Sequence, residues 1–256
     1  MKILKTMVPI VGILLISVSY SCKKSSPKPT PPVLPPANLV AHWALNGNAT
    51  DASRYNNNGT AINTTAVADR FGNANSALHF DGVSSYIIVP DSVRLRLANT
   101  DFTVNAWVKL DAYSGNYVST IISKRVAGAD NGWLWAINGQ GNVPTYPLGS
   151  VYFGPGGGEA DAVSTTQISI GNWHMITCVY TYAAQTLSIY IDGVLDHTVN
   201  AMMSPNASIS APLYIGEDVD GQPGGEYYFN GSLDEIRIYN TALDQTSIQQ
   251  LHSSTN

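Results

Sequence analysis

Along much of the chain, apolar and polar side chains alternate one by one over short stretches, the pattern of strands with one buried face. Phe102, Val104, Ala106 and Val108 alternate with Thr103, Asn105, Trp107 and Lys109. His174, Ile176, Cys178 and Tyr180 alternate with Trp173, Met175, Thr177 and Val179. Leu187, Ile189 and Ile191 alternate with Ser188, Tyr190 and Asp192, and the run enters Asp192-Gly193 before Val194–Thr198. That order predicts a hairpin, because Asx-Gly supplies the positive φ a two-residue turn needs. Ile236 and Ile238 mark a strand within Ser232–Tyr239, and further strands are predicted over 39–45, 77–80, 86–89, 118–124, 133–137, 151–153 and 213–215. Turn dipeptides such as Asn46-Gly47, Asp81-Gly82 and Asn230-Gly231 separate them. Helical spacing is confined to the end, where Asp244 can cap a turn over 246–251 that points Leu243, Ile248 and Leu251 at a sheet. No internal repeat of propeller or solenoid length occurs. The pattern predicts an all-β, two-sheet antiparallel sandwich of jelly-roll type with a short C-terminal helical turn.

The beginning of the chain follows other rules. Lys2 and Lys5 precede an apolar run, Met7 to Val18, too short to span a bilayer as a mature helix, so residues 1–21 read as a leader peptide. Its end, Ser19-Tyr20-Ser21-Cys22, resembles a bacterial lipobox, although Tyr20 departs from that pattern. The resemblance implies cleavage before Cys22 and lipid attachment to its thiol; an ordinary signal peptide cut nearby is the alternative. Residues 22–37 are dense in proline, which fixes φ and removes amide donors, so they form an extended tether. Lys23 stands where aspartate is associated with inner-membrane retention, so the likeness to lipoproteins implies a lipid-anchored place in the cell envelope, at the outer membrane, facing the periplasm or the surface.

Residues 38–256 remain, enough for one large β domain with its own core. Cys178 lies in a strand pattern and reads as a small buried apolar group; with Cys22 acylated, no internal disulfide is available. All 18 acidic residues fall in this segment with only eight of the 13 basic ones, a formal charge of −10. Such a surface repels nucleic acid and anionic polymers and is compatible with neutral sugars and cations.

Several segments occur in a telling order: Leu39-Val40-Ala41-His42-Trp43, Asp51 with Asn56-Asn57-Asn58-Gly59, Ala77–Gly82, Phe102–Val108, Trp173-His174-Met175, Leu187–Gly193 and Asn230–Asn240. Together they resemble the laminin-G-like domains of the concanavalin A-like lectin/glucanase superfamily over the whole of 38–256. The resemblance implies a jelly roll with one concave sheet, and a carbohydrate-binding, adhesion or enzyme-appended role. It also implies a structural Ca²⁺ near the meeting of the first and last strands.

Three chemistries follow for inspection. Calcium needs six to eight oxygens; Asp51 and Asp234 sit where the resemblance puts the ion, against the alternative that Asp51 caps a turn and Asp234 pairs with a base. Sugar rings stack on aromatic faces and bond to Asn and Asp; Asn131, Tyr146, Tyr152, Asp218, Tyr227 and Tyr228 lie in loop segments that could supply both. Most of the tryptophans Trp43, Trp107, Trp133, Trp135 and Trp173 are expected in the core instead. Glycoside hydrolysis needs paired carboxylates, and the Glu-x-Asp-x-x-Glu of laminarinase-like enzymes is missing. Asp234 and Glu235 are adjacent and so are expected on opposite faces of a strand. Neither zinc-type histidine spacing nor a nucleophile elbow appears. The sequence therefore reads as a non-catalytic glycan-binding module, with a surface protein that binds a protein partner as the alternative and a divergent glycosidase behind it.

Overall fold

The computed structural model describes residues 38–114, 117–126, 131–140, 146–155, 161–200, 202–205, 210–218 and 227–254. The leader, Cys22 and the tether lie outside the described residues.

In chain order the strands are β1 Leu39–Trp43, β2 Thr60–Ile62, β3 Thr65–Val67, β4 Ala77–Asp81, β5 Tyr86–Val89, β6 Phe102–Leu110, β7 Val118–Lys124 and β8 Trp133–Asn138. They continue with β9 Ser150–Gly154, β10 Ala162–Gln167, β11 Trp173–Thr181, β12 Thr186–Ile191, β13 Val194–Val199, β14 Leu213–Ile215 and β15 Asn230–Tyr239, and the helix α1 spans Gln245–Ser253. One sheet runs β13-β12-β11-β6-β15-β4-β3, with β1 also paired to β15; the other runs β10-β9-β8-β7-β14-β5-β2. All of these pairings are antiparallel. The chain is thus an all-β, two-sheet sandwich, as the alternation implied. Asp192 (φ 50°) and Gly193 (φ 77°) form the turn of the β12–β13 hairpin. Strands β2, β3 and β10 carry little apolar alternation and were not legible.

The inward side chains of both sheets make one core. Phe102, Val104, Ala106 and Val108 of β6 meet Ile176, Cys178 and Tyr180 of β11, with Trp133, Trp135, Val151 and Phe153 from the opposite sheet. Trp133 stacks on Phe153 at 5.9 Å, Phe153 lies 5.5 Å from Phe102, and Phe102 stacks on Tyr180 at 5.1 Å. This ring chain ties the two sheets, each contact contributing about 0.5–1.5 kcal/mol beyond burial. The polar tips are satisfied: Trp133 Nε1 donates to the Leu95 carbonyl at 3.0 Å and Tyr180 Oη to that of Met202 at 2.9 Å.

The other face of the eight-stranded sheet is covered in part by α1. Asp244 caps it by accepting from Ser247 N at 2.7 Å, and Ile248 and Leu251 pack with Leu243 against Trp107, Met175 and Val179. Both faces of β6 are therefore buried, and four of the five tryptophans are core residues, with Trp173 packed at the edge of this second cluster. Among the described residues no helix is long and apolar enough to cross a membrane.

Candidate functional site

The outer face of the seven-stranded sheet carries a different surface. Alternation sends Trp133, Trp135 and Ile137 of β8 inward, which leaves Leu134 and Ala136 outside; on β9, Val151 and Phe153 point in and Tyr152 points out. Register completes the floor: Tyr152 faces Ala136, and Ala136 faces Thr120 of β7. Val118, Leu134 and Ala136 form a small apolar cluster against which Tyr152 and Tyr227 pack.

Four tyrosines stand in a row on this floor. Tyr152 and Tyr146 have ring centroids 5.8 Å apart, Tyr146 and Tyr117 6.5 Å, and Tyr117 and Tyr227 6.3 Å, with interplanar angles of 65°, 61° and 60°. Packing of this kind, edge-to-face at two contacts and tilted at the third, stiffens the row; Tyr117 is 42% exposed and the other three are half-buried. The segment bearing Tyr146 is held by the Asn138 amide, which donates to the Tyr146 and Pro147 carbonyls. Tyr227 is fixed by Thr120 N donating to its carbonyl at 3.3 Å. A separate pair on the same sheet is formed by Tyr214 on β14 and Tyr86 on β5, whose rings are 6.1 Å apart. From β9 to β5 is four strand spacings, about 19 Å.

Asp161 anchors one end. Its Oδ2 accepts from Tyr146 Oη at 2.6 Å, and the Tyr152 hydroxyl engages the same carboxylate. Burial, then this carboxylate, raises the Tyr117, Tyr146 and Tyr152 hydroxyls above the usual phenol range. A Cβ on Gly154 would come 2.5 Å from Tyr152 Oη and 2.8 Å from Asp161 Oδ1, so the close approach of these groups requires glycine there. Beneath the row, Thr120 Oγ1 is buried without a protein partner.

Of the residues picked from sequence, Tyr146, Tyr152 and Tyr227 come together here. Asp218 lies near the other end of β7, fully buried, where Ser123 Oγ donates to its Oδ1 at 2.6 Å and Arg125 grips both oxygens. Tyr228 follows Tyr227 and is half-buried. Asn131 is turned to its own loop, its Oδ1 accepting from Val126 N at 3.0 Å. Sequence reasoning missed Tyr117, Thr120, Asp161, Tyr214 and Tyr86. Tyr214 sits between inward Leu213 and Ile215, and Tyr86 precedes inward Ile87 in an alternating run, which is a signal for an outward aromatic.

The pair picked for calcium does not present a free oxygen set. Asp51 accepts from the backbone N–H of His42, Ser53 and Asn57 and from Ser53 Oγ, all within 2.7–2.8 Å, so it organises the turn that follows β1. Asp234 receives Arg70 Nη1 at 2.8 Å. The donor set present does not fit the ion, and no group of three or more His, Cys, Asp or Glu side chains among the described residues is placed to hold a metal.

Asp234 and Glu235 also correct the expectation of opposite faces. Strand β15 is bulged between Asp234 and Arg237, with Glu235 at φ 53°. The extra residue resets the alternation, so Leu233, Ile236 and Ile238 all enter the core while both carboxylates emerge on the helix-covered side. Glu235 meets His42 Nε2 at 2.8 Å and Arg237. Burial and the Glu235 charge push Asp234 up to about 7, while burial is outweighed at Glu235 by His42 and Arg237, which hold it low.

Comparison with known proteins agrees with the fold. A laminin-G-type family model described as the concanavalin A-like lectin/glucanases superfamily matches residues 80–249. No curated protein matches the sequence. Among solved structures, domain 4 of AbnA, an extracellular GH43 arabinanase from Geobacillus stearothermophilus solved with arabinotriose, is 19% identical. The match covers 84% of this chain and 98% of that one, with a TM-score of 0.65. The binding domain of Paraclostridial Mosquitocidal Protein 1 is 16% identical over 85% of this chain and 52% of its own, with a TM-score of 0.64. That of Botulinum neurotoxin DC, solved with rat synaptotagmin II, is 16% identical over 86% and 52%, with a TM-score of 0.65. The chain spans about half of each toxin domain. At these identities the likeness is one of fold.

Proposed function

The chain belongs to the concanavalin A-like lectin/glucanases superfamily, and from that premise we propose that its β domain is a non-catalytic, lectin-like module that binds glycan on the outer face of the seven-stranded sheet. The observation that carries the reading is the stiffened tyrosine row beside Asp161, with the partnerless Thr120 hydroxyl beneath. Rings of this kind receive the C–H faces of sugars while nearby oxygens take their hydroxyls. A non-catalytic role is supported by the state of the carboxylates. Asp234 and Glu235 are committed to Arg70, His42 and Arg237, and Asp218 to Ser123 and Arg125. In this proposal Cys22 carries a lipid, and the 22–37 tether holds the module off the outer membrane.

Affinity electrophoresis of the purified domain through gels containing single polysaccharides, with and without chelator, tests the binding. Retardation by at least one glycan is expected, weakened about tenfold by Tyr117→Ala or Tyr152→Ala. No retardation by any glycan, or retardation that both substitutions leave intact, refutes the site. Capture of an envelope protein that soluble glycan fails to displace would point to a protein partner instead. Mass spectrometry of the mature N-terminus, compared with Cys22→Ser, decides the lipid.

A further inference from the structure

At the Asp161 end of the row the polar groups share one property: their protons are spent inward. Tyr146 Oη gives its only proton to Asp161 at 2.6 Å, and the Tyr152 hydroxyl turns to the same carboxylate. The Asn138 amide is used on the Tyr146 and Pro147 carbonyls. What these groups present outward is lone pairs: two phenol oxygens and a carboxylate that accepts and never donates while ionised. Thr120 Oγ1 is buried with no protein partner, so it is open to a ligand as well. Arg125, the cation near this face, is already bound through both oxygens of buried Asp218. At the Asp161 end, a ligand is favoured when it brings donors and disfavoured when it brings negative charge.

We infer that Asp161 sets the charge class of the ligand, so that the tyrosine row takes neutral, hydroxyl-rich glycan chains and rejects uronate, sialylated and sulfated ones. The inference rests on the glycan-binding reading above and adds to it a specificity residue. Each hydroxyl of a neutral sugar can donate to the oriented phenol and carboxylate oxygens. A sugar carboxylate or sulfate placed on the same rings meets acceptors with an acceptor and an anion with an anion, a juxtaposition that costs far more than a lost contact. The domain's overall acidity repels polyanions at long range as well, but salt screens that field beyond about 10 Å. The Asp161 effect acts at contact and survives moderate salt.

The test compares neutral polymers (arabinan, xylan, mixed-linkage glucan, mannan) with acidic ones (polygalacturonate, alginate, chondroitin sulfate) in affinity gels at 150 mM salt, for the wild-type domain, Asp161→Asn and Asp161→Ser. The wild type should be retarded by a neutral polymer and by no acidic one. Each variant should shift the acidic-to-neutral affinity ratio by about tenfold or more toward the acidic class. A ratio is read because a folding defect lowers both affinities together and leaves it unchanged. Retardation of the wild type by an acidic polymer as strongly as by a neutral one, or a ratio unmoved in both variants, overturns the inference and leaves the lectin reading standing. Retardation by neither class overturns both.

Discussion

Replacing Arg70 by methionine isolates one buried charge. Arg70 is 5% exposed in its side chain and sits over the Trp107 ring at 4.5 Å and the Phe71 ring at 4.4 Å. It donates to Asp234 at 2.8 Å and to the Ser254 carbonyl beyond α1 at 3.1 Å. Methionine keeps apolar bulk on the rings and removes the charge. Asp234 already titrates at about 7, raised by burial and then by Glu235, with Arg70 pulling the other way and Asp69 adding to the rise. His42 and Arg237 face Glu235 beside it, and His252 stacks on Trp107 from α1 at 5.4 Å. Without Arg70 the Asp234 pKa moves higher still. A carboxyl with a raised folded-state pKa contributes stability that is complete below its unfolded value of 3.8 and is lost as pH climbs to the folded value. In the wild type that loss ends near pH 7; in the variant it continues. Below pH 7 both native states hold the proton, and the difference between them stays constant at about 1–3 kcal/mol, from the lost carbonyl bond and cation–π contacts. Above pH 7 the gap widens, at a slope of no more than about 1.4 kcal/mol per pH unit, until the variant's own Asp234 carboxyl ionises. Urea unfolding followed by tryptophan fluorescence at pH 5 to 9, with equal slopes for both proteins, measures it. A gap that stays flat or narrows between pH 7 and 9 refutes the reasoning.

Other outcomes follow from single contacts. Gly231→Ala places a Cβ 2.1 Å from the Lys109 carbonyl at φ +147°, where β15 crosses β6; a loss of about 3 kcal/mol or more is expected, read as a Tm drop of roughly 6–12 °C by calorimetry. The Cys178 thiol, fully buried and pushed above the usual thiol range by that burial, should resist iodoacetamide in the native protein and label only in denaturant, as peptide mapping by mass spectrometry will show. Burial opposes ionisation of Asp81, but the backbone N–H groups of Val83, Ser84 and Ser85 and the Ser84 hydroxyl outweigh it and hold its pKa low. Its contribution is therefore present above the usual carboxylate range and lost in acid, so Asp81→Asn should flatten the acid limb of the Tm-versus-pH curve. Tyr117→Ala, on an exposed ring, should leave Tm within about 2 °C of wild type while weakening glycan retardation.

The sandwich was readable because β12 and β14 bury one face each, and because β6 and β11, buried on both faces, still keep polar residues such as Thr103, Asn105 and Thr177 on the face away from the core. Thr60–Ile62, Thr65–Val67 and Ala162–Gln167 are mostly edge segments with exposed or small side chains, and nothing in their composition separates them from turns. The β15 bulge was invisible for another reason. Alternation gives no signal where a single inserted residue flips its phase, and only Leu233 followed by Ile236 hints at it. At the candidate site, tyrosine-bearing loops pointed to Tyr146, Tyr152 and Tyr227. Their convergence with Tyr117 and Asp161 is a matter of register between β7, β8 and β9, which no local pattern encodes. Asp51 and Asp234 show what a sequence does not give: which backbone amides and which arginine a carboxylate meets in the fold.

Strand β15 occupies the middle of the larger sheet, with β6 along one side and β4 and β1 sharing the other, yet it is the last strand to be synthesised. A nascent chain that ends before Asn230 has an empty slot where its sheet should join, and two raw edges facing it. The fold can therefore close only after the chain through Tyr239 has left the ribosome, and its long-range pairings make that closure slow. Until then the chain stays threadable, the state required of any polypeptide that must pass a narrow pore before it folds.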